Sequence, residues 1–295
     1  MKVGLYTDSE KMPNLALMKL STYHKMKGDE VEFYSPVFMN TFDKVYYSKI
    51  FTFTQTANFY MPNLEKGGTG FDILKKLPEE IDNLYPDYSI YPQYDYAIGF
   101  ITRGCIRNCK WCVVPKKEGN IKPYRKVEEI ARNDTNKIVF MDNNILASDF
   151  GLSEIEKLTK SKYKVDFNQG LDVRLVDDNV GKLLSKLKWI KYIRFSCDTK
   201  SQINELLRVK EILNKYGYNK KIFVYVLGTT FEDTLYRLNI LKQNNFAPFM
   251  QPYIDFENNN KIDKDLKDMV RWCNRKWIFE SCSYEEYKNN YRNKK

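Results

Sequence analysis

Several features are scarce in this sequence of 295 residues. No run of about 18 uncharged apolar residues occurs, so no transmembrane helix is expected. The opening Met1-Lys2-Val3-Gly4-Leu5-Tyr6-Thr7-Asp8 turns polar too soon for a secretory leader, and a cytoplasmic protein is expected. Histidine occurs once, at His24, so histidine offers little to a metal site elsewhere. Cysteine is absent before Cys105 and arginine before Arg103. The size and the missing leader exclude a small disulfide scaffold. The stretch Gly67-Gly68-Thr69-Gly70 lacks the Gly-Lys-Ser/Thr ending of a phosphate loop and reads as a flexible turn. No internal repeat is evident.

Aromatic residues, at 15%, are plentiful, and disordered chains lack this much bulky apolar surface. The chain carries 48 Lys plus Arg against 38 Asp plus Glu, a formal net charge of +10. That excess suits a nucleic-acid partner. It equally suits an AT-rich coding sequence, since the excess is mostly lysine and accompanies abundant Asn, Tyr and Ile.

The first hundred residues read as a small α/β unit. A strand at 2–6 leads to a helix with Leu15, Met18, Thr22 and Met26 on one side, which Gly28 stops. Strands at 31–34 and 44–53 follow. Pro78, Pro86 and Pro92 punctuate a Tyr-rich connection and set a boundary near 93. Strands are then expected at 96–102, 137–141, 163–167, 189–196, 221–227 and 247–253. Helices between them are expected at 149–160, 177–187, 201–216 and 230–244, with Gly217 ending the third and Thr230 with Asp233 capping the fourth. This alternation predicts a parallel (β/α)6 partial TIM barrel, where chemistry sits at the C-terminal strand ends. The domains are then 1–93, a Rossmann-like unit; 94–260, the barrel; and 261–295, a helical tail with Ser283-Tyr284-Glu285-Glu286 as a capping box.

Three of the six cysteines lie within eight residues, in Gly104-Cys105-Ile106-Arg107-Asn108-Cys109-Lys110-Trp111-Cys112. The segment directly follows the strand at 96–102, so one short loop aims three thiolates at one point. Soft thiolates suit iron–sulfur or zinc. A closed zinc site needs a fourth ligand, whereas three ligands leave a position open for a chelating partner. Lys110 and the arginines nearby favour ionised thiols. Cys197, Cys273 and Cys282 are too far apart for a second cluster and read as free thiols. His24 reads as a packed helix residue. Trp272 and Trp277 read as packing onto the barrel, with base stacking as the alternative.

The spacing Cys-x3-Cys-x2-Cys, with an aromatic residue before the last cysteine, resembles the radical S-adenosylmethionine superfamily over residues 94–255. The resemblance implies a 4Fe–4S cluster on Cys105, Cys109 and Cys112, with S-adenosylmethionine chelating the open iron. It implies reductive cleavage of that cofactor to methionine and a 5′-deoxyadenosyl radical that abstracts hydrogen. Carried over residue by residue, it places Trp111 beside the adenine. Asp142 or Asn144 then stands where the family's Gly-Gly-Glu binds the methionine amine. Arg174 falls on the methionine carboxylate, with a salt bridge to Asp172 or Asp177 as the alternative. Ser196 or Asp198 falls on the ribose, and Gly228 on the adenine strand. No catalytic residue is assigned.

The N-terminal unit resembles the cobalamin-binding-type domain of one branch. Its Asp8-Ser9-Glu10-Lys11-Met12-Pro13 lacks the His and Gly of that motif, so cobalamin is not expected. The resemblance implies a one-electron reductant such as flavodoxin or ferredoxin, and no membrane. Between Arg103 and Lys126 there are 3 Arg and 5 Lys against Glu118 alone, a local +7. This points to a polar, anionic substrate, nucleotide or nucleic acid. Two other readings stay open at this point. One is a cobalamin-dependent methyltransferase on the same scaffold. The other is a non-catalytic iron–sulfur or zinc protein that binds nucleic acid.

Overall fold

A computed structural model describes residues 1–9, 12–35, 41–59, 61, 63–254 and 262–292. Thirteen strands run in chain order through it: β1 Lys2–Thr7, β2 Glu30–Phe33, β3 Lys44–Ser48, β4 Leu64–Gly67, β5 Ala97–Gly99, β6 Thr102–Arg103, β7 Lys122–Pro123, β8 Lys137–Phe140, β9 Lys164–Phe167, β10 Lys188–Trp189, β11 Arg194–Ser196, β12 Phe223–Gly228 and β13 Ala247–Pro252. The fold is α/β; every strand pair among the described residues is parallel except β6 with β7.

The N-terminal sheet has the order β2-β1-β3-β4, so strand addition reverses direction between β1 and β3. The expected third strand ends early, at Ser48. There Asp8 takes over the backbone, accepting from Ile50 N at 2.8 Å and Phe51 N at 3.3 Å. β4 was expected as loop; it is four residues long and mostly exposed, and such an edge strand carries no apolar alternation. The helix Leu15–Met26 is capped by Asn14, whose Oδ1 accepts from Leu17 N at 3.2 Å. Its buried face carries Leu17, Met18, Leu20, Ser21 and His24, while Met26, expected on that face, points to solvent. His24 is packed and doubly bonded, to Asp29 at 2.7 Å and Tyr46 Oη at 3.0 Å.

The second sheet system has β5-β8-β9-β10 and β11-β12-β13. The expected strand 189–196 is split in two. Its halves stay linked across the split by Ile190 N to Val165 O, 2.9 Å, and Leu171 N to Arg194 O, 2.8 Å, beside a parallel bridge from Leu171 to Phe195. Six parallel segments thus follow one another in chain order, with helices Asp149–Thr159, Asp178–Lys186, Ser201–Lys215 and Phe231–Gln243 between them. Gly217 ends the third of these helices at φ +86°. Thr230 makes no side-chain cap; Asp233 pairs with Arg237 at 2.7 Å instead.

Helices Lys264–Cys273, Lys276–Ser281 and Tyr284–Tyr287 bury Leu266, Met269, Trp272, Ile278, Phe279 and Tyr284 in the same core as the parallel strands. The Ser283–Glu286 capping box forms as expected. Asn274 bonds both backbone groups of Met250, at 2.7 and 2.9 Å, closing the free edge of β13 as a further strand would. These expectations fall partly outside the described residues: the boundary at 260, residues 261 and 293–295 of the tail, and Glu10 and Lys11 of the motif that starts at Asp8. Among the described residues, no helix is long and apolar enough to cross a membrane.

Candidate functional site

The cysteine loop begins where β5 stops. Asp142, 4% exposed, follows β8 and accepts Ile101 N at 3.0 Å, Thr102 N at 2.5 Å and Thr102 Oγ1 at 2.7 Å. These bonds end the expected strand 96–102 and turn the chain outward. β6 and β7 then pair antiparallel and close the neck of the loop. Cys105 N donates to Gly119 O at 3.1 Å. Arg103 grips Glu118 with two bonds, at 2.7 and 3.0 Å. Gly104 sits at φ +89°, and a Cβ there would collide with the Asn120 carbonyl oxygen, so only glycine fits. Gly104 N also donates to Asn143 Oδ1 at 3.1 Å.

The three thiols are free. Cys105 Sγ accepts from Arg107 N at 3.3 Å and from Asn144 Nδ2 at 3.4 Å. Burial pushes the Cys109 thiol up, although Arg174 pulls it back, and burial likewise pushes up Cys112. The nearby cations therefore do not outweigh burial at these two thiols, contrary to expectation. Bound metal would supply the charge that favours the thiolates. Among the described residues, no three His, Cys, Asp or Glu side chains converge tightly enough for one metal ion. Three free thiols on one loop are the soft donor set that an iron–sulfur cluster takes.

Asp172, at the base of the loop following β9, collects both arginines of the site. Arg174 binds it through Nε at 2.7 Å and Nη2 at 3.0 Å, and Arg107 Nε reaches it at 2.9 Å. Burial opposes the charge of Asp172, but the two guanidiniums prevail and hold it below the usual carboxylate range. Among the described residues, Arg174 Nη1 and both Nη groups of Arg107 have no hydrogen-bond acceptor. Asn144 is buried, donates to Asp172 at 3.4 Å, and leaves Oδ1 without any hydrogen bond.

Asp198 follows β11, bonds Ser196 and accepts Leu227 N at 3.1 Å; burial raises its pKa. Its charge is felt at Cys109, Cys112 and Arg174, which puts these groups in one neighbourhood. Gly228 ends β12, and a Cβ there would collide with Met250 Cε. Trp111 is half-buried, with Lys110 Nζ 5.8 Å from its ring centre. The structure therefore gathers Cys105, Cys109, Cys112, Asn144, Arg174 and Asp198. It gives Asp142 to the backbone and Gly228 to packing.

Asp172 entered the sequence analysis only as a partner for Arg174. Arg237 was missed. Its one available signal is an arginine on the inward face of its helix, between Thr234 and Leu241. The cleft of about 90 Å³ between Lys19, Ile98, Phe100 and Tyr124 is separate from this neighbourhood.

Asp142 offers a test by titration. Burial raises its pKa to about 6 despite the three donors, so the folded chain holds that proton more tightly than the unfolded chain. Its contribution to stability is full below about pH 4 and is lost, by roughly 2–3 kcal/mol, as pH rises from there through about 6. Asp142→Asn should remove that part of the slope. Urea unfolding of both chains near pH 4 and pH 7 measures it; parallel slopes would refute the assignment.

No family model matches the sequence. Among curated proteins, the chain is 25% identical over 227 residues to the tRNA-2-methylthio-N(6)-dimethylallyladenosine synthase of Sulfurihydrogenibium sp. (strain YO3AOP1). The alignment covers 65% of this chain and 51% of that protein, so the chain spans about half the length of the relative it matches. This similarity supports the radical S-adenosylmethionine superfamily at large, and gives no support to its branch with a cobalamin-binding-type domain.

Proposed function

We propose that this chain is a cytoplasmic radical S-adenosylmethionine enzyme that modifies RNA. In this reading residues 94–260 form a six-stranded partial barrel, residues 1–93 a Rossmann-like unit, and residues 261–295 a helical tail. The observation that carries it is three free thiols on one stitched loop, at the C-terminal end of the first of six parallel segments. Polar groups on the neighbouring strand ends face the same region.

Cys105, Cys109 and Cys112 would hold a 4Fe–4S cluster and S-adenosylmethionine would bind its open iron. Bound there, the reduced cluster would supply one electron for the reductive cleavage of S-adenosylmethionine. This chain's residues bind and orient. Asn144 Oδ1, buried without a partner, is placed to accept from the methionine ammonium. Asp142 has no such freedom and anchors the loop. Arg174 keeps Nη1 for the methionine carboxylate while Asp172 fixes its other nitrogens. Ser196 and Asp198 serve the ribose, Trp111 and Gly228 the adenine. A flavodoxin or ferredoxin would deliver the electron.

An RNA substrate is supported by the tRNA nucleoside in the name of the similar protein. It is also supported by Lys110, Lys116, Lys122 and Lys126, which are exposed around the loop. Of the three arginines expected to attract anions, Arg103 is committed to Glu118, and Arg125 to Glu129 and Asn83. Arg107 is held to Asp172 through Nε alone. The test is anaerobic reconstitution with iron and sulfide, then reduction with dithionite in the presence of S-adenosylmethionine. The expected products are 5′-deoxyadenosine and methionine. Formation of S-adenosylhomocysteine alone would overturn the radical assignment. Mass analysis of nucleosides from added tRNA tests the substrate.

A further inference from the structure

Resting on that RNA reading, we infer that the basic cleft at the N-terminal ends of β12 and β13, together with Trp277, is a second anchor for the RNA strand. It lies at the opposite strand ends from the cysteine loop. The cleft has a volume of about 190 Å³. Its lining holds Lys210, Lys220, Lys221 and three asparagines, and no acid. Its floor is Ile222 and Phe246, both buried, which directly precede β12 and β13.

The donors of this cleft are largely uncommitted. Lys210 Nζ donates to Asn244 O at 2.6 Å, and an ammonium has two further N–H groups. Lys220 is exposed and has no ion pair among the described residues. The three asparagine side chains make no hydrogen bond among the described residues. Lys221 pairs with Glu280, so the carboxylate beside the cleft is already neutralised. Ammonium and amide donors without a negative charge among them suit a phosphate.

Glu280 also ties the cleft to Trp277. Both belong to the helix Lys276–Ser281, three residues apart, and side chains at that spacing are neighbours on a helix surface. The helix is firmly seated, because Ile278 and Phe279 enter the core and Lys242 Nζ bonds Phe279 O. Trp277, expected to pack onto the barrel, is instead 63% exposed. Among the described residues its indole has neither a ring contact nor a hydrogen bond. Exposing an indole this far forgoes the gain from burying it. Arg275 and Lys276 precede it, exposed and without an ion pair among the described residues. Cations on either side of an open aromatic ring favour a polyanion with stacking bases over an apolar protein surface.

Reach decides the size of the occupant. β12 has six residues, so its two ends stand about 20 Å apart at about 3.3 Å per residue. A mononucleotide at the cysteine loop cannot touch the cleft. A strand of several nucleotides can, at about 3.4 Å of helical rise for each.

The experiment titrates the full chain against a fluorescent oligo(A) RNA and against a duplex RNA over a series of salt concentrations, with anisotropy as the readout. Trp277→Ala should weaken single-strand binding about fivefold or more, leave duplex binding nearly unchanged, and be largely rescued by Trp277→Phe. Lys220→Gln should lower the slope of log affinity against log salt by about one for both RNAs. Both side chains are exposed, so each variant should unfold with wild-type stability. Wild-type single-strand affinity in Trp277→Ala, or a wild-type salt slope in Lys220→Gln, would overturn the anchor. Loss of a dimer by sedimentation in Trp277→Ala, with RNA affinity unchanged, would overturn it too, pointing to a contact between copies. Without RNA, the variants should form 5′-deoxyadenosine as the wild type does. If the wild type binds RNA and the variants match it, the anchor falls and the RNA reading stands. If the wild type binds no RNA yet cleaves the cofactor, both fall while the radical chemistry stands.

Discussion

Replacing Cys105, Cys109 and Cys112 together by alanine should give a folded chain that binds no iron and forms no 5′-deoxyadenosine. The wild type, reconstituted anaerobically, should carry about four irons and four sulfides. Folding should survive because no residue between Gly104 and Ile121 belongs to a core cluster. Circular dichroism and the unfolding midpoint should therefore match wild type while the brown absorbance vanishes. Cys273→Ala and Cys282→Ala should keep the chromophore. Cys273 is buried and its pKa is pushed up to about 12, so it remains a thiol, and Cys282 Sγ bonds Ile278 O at 3.4 Å. Stoichiometric zinc without iron in the wild type would falsify the cluster assignment.

The second large effect is expected at Arg237, which is 0% exposed. Its guanidinium donates to the carbonyl oxygens of Cys197 and Leu227 and pairs with Asp233 at 2.7 Å. It thus ties the C-terminal ends of β11 and β12 together, on either side of Asp198. Arg237→Met should leave two buried carbonyls and a carboxylate without their donor. Removing one partner of such a buried arrangement costs about 3–5 kcal/mol. For a chain of this size that lowers the thermal midpoint by roughly 6–15 °C. Arg237→Lys should restore little, because one ammonium cannot serve three acceptors in a guanidinium's plane. A midpoint within a degree or so of wild type would refute this role.

The cysteine spacing and the alternation of strands and helices were legible because both are written in short-range order. Three thiols at spacings of three and two must share a loop, whatever surrounds them. Apolar runs of four to six residues between amphipathic helices give parallel strands by elementary packing. The Ser283–Glu286 cap lies within one turn, and it formed as read. The failures lie where the local signal is weakest. β4 has no buried face along most of its length. The strand expected at 96–102 is cut by a carboxylate 40 positions away. The cap expected at Thr230 loses to an ion pair between Asp233 and Arg237.

The sequence by itself determined that three thiols share one loop after a strand's C-terminal end. Tertiary structure decided which charges remain for a ligand. Asp142, Asn144 and Arg174 looked alike as polar strand-end residues. Folding fills both oxygens of Asp142 with donors from residues 101 and 102, leaves Asn144 Oδ1 unpartnered, and divides Arg174 between Asp172 and open space. Likewise the local excess of +7, which already counts Glu118, shrinks once Arg107 meets Asp172 and Arg125 meets Glu129. The reason is one of range. Spacing along the chain fixes what a loop or helix turn contains. A charge chooses its partner by distance and burial, here between residues such as Arg107 and Asp172 that stand 65 positions apart, and only the folded backbone sets that distance.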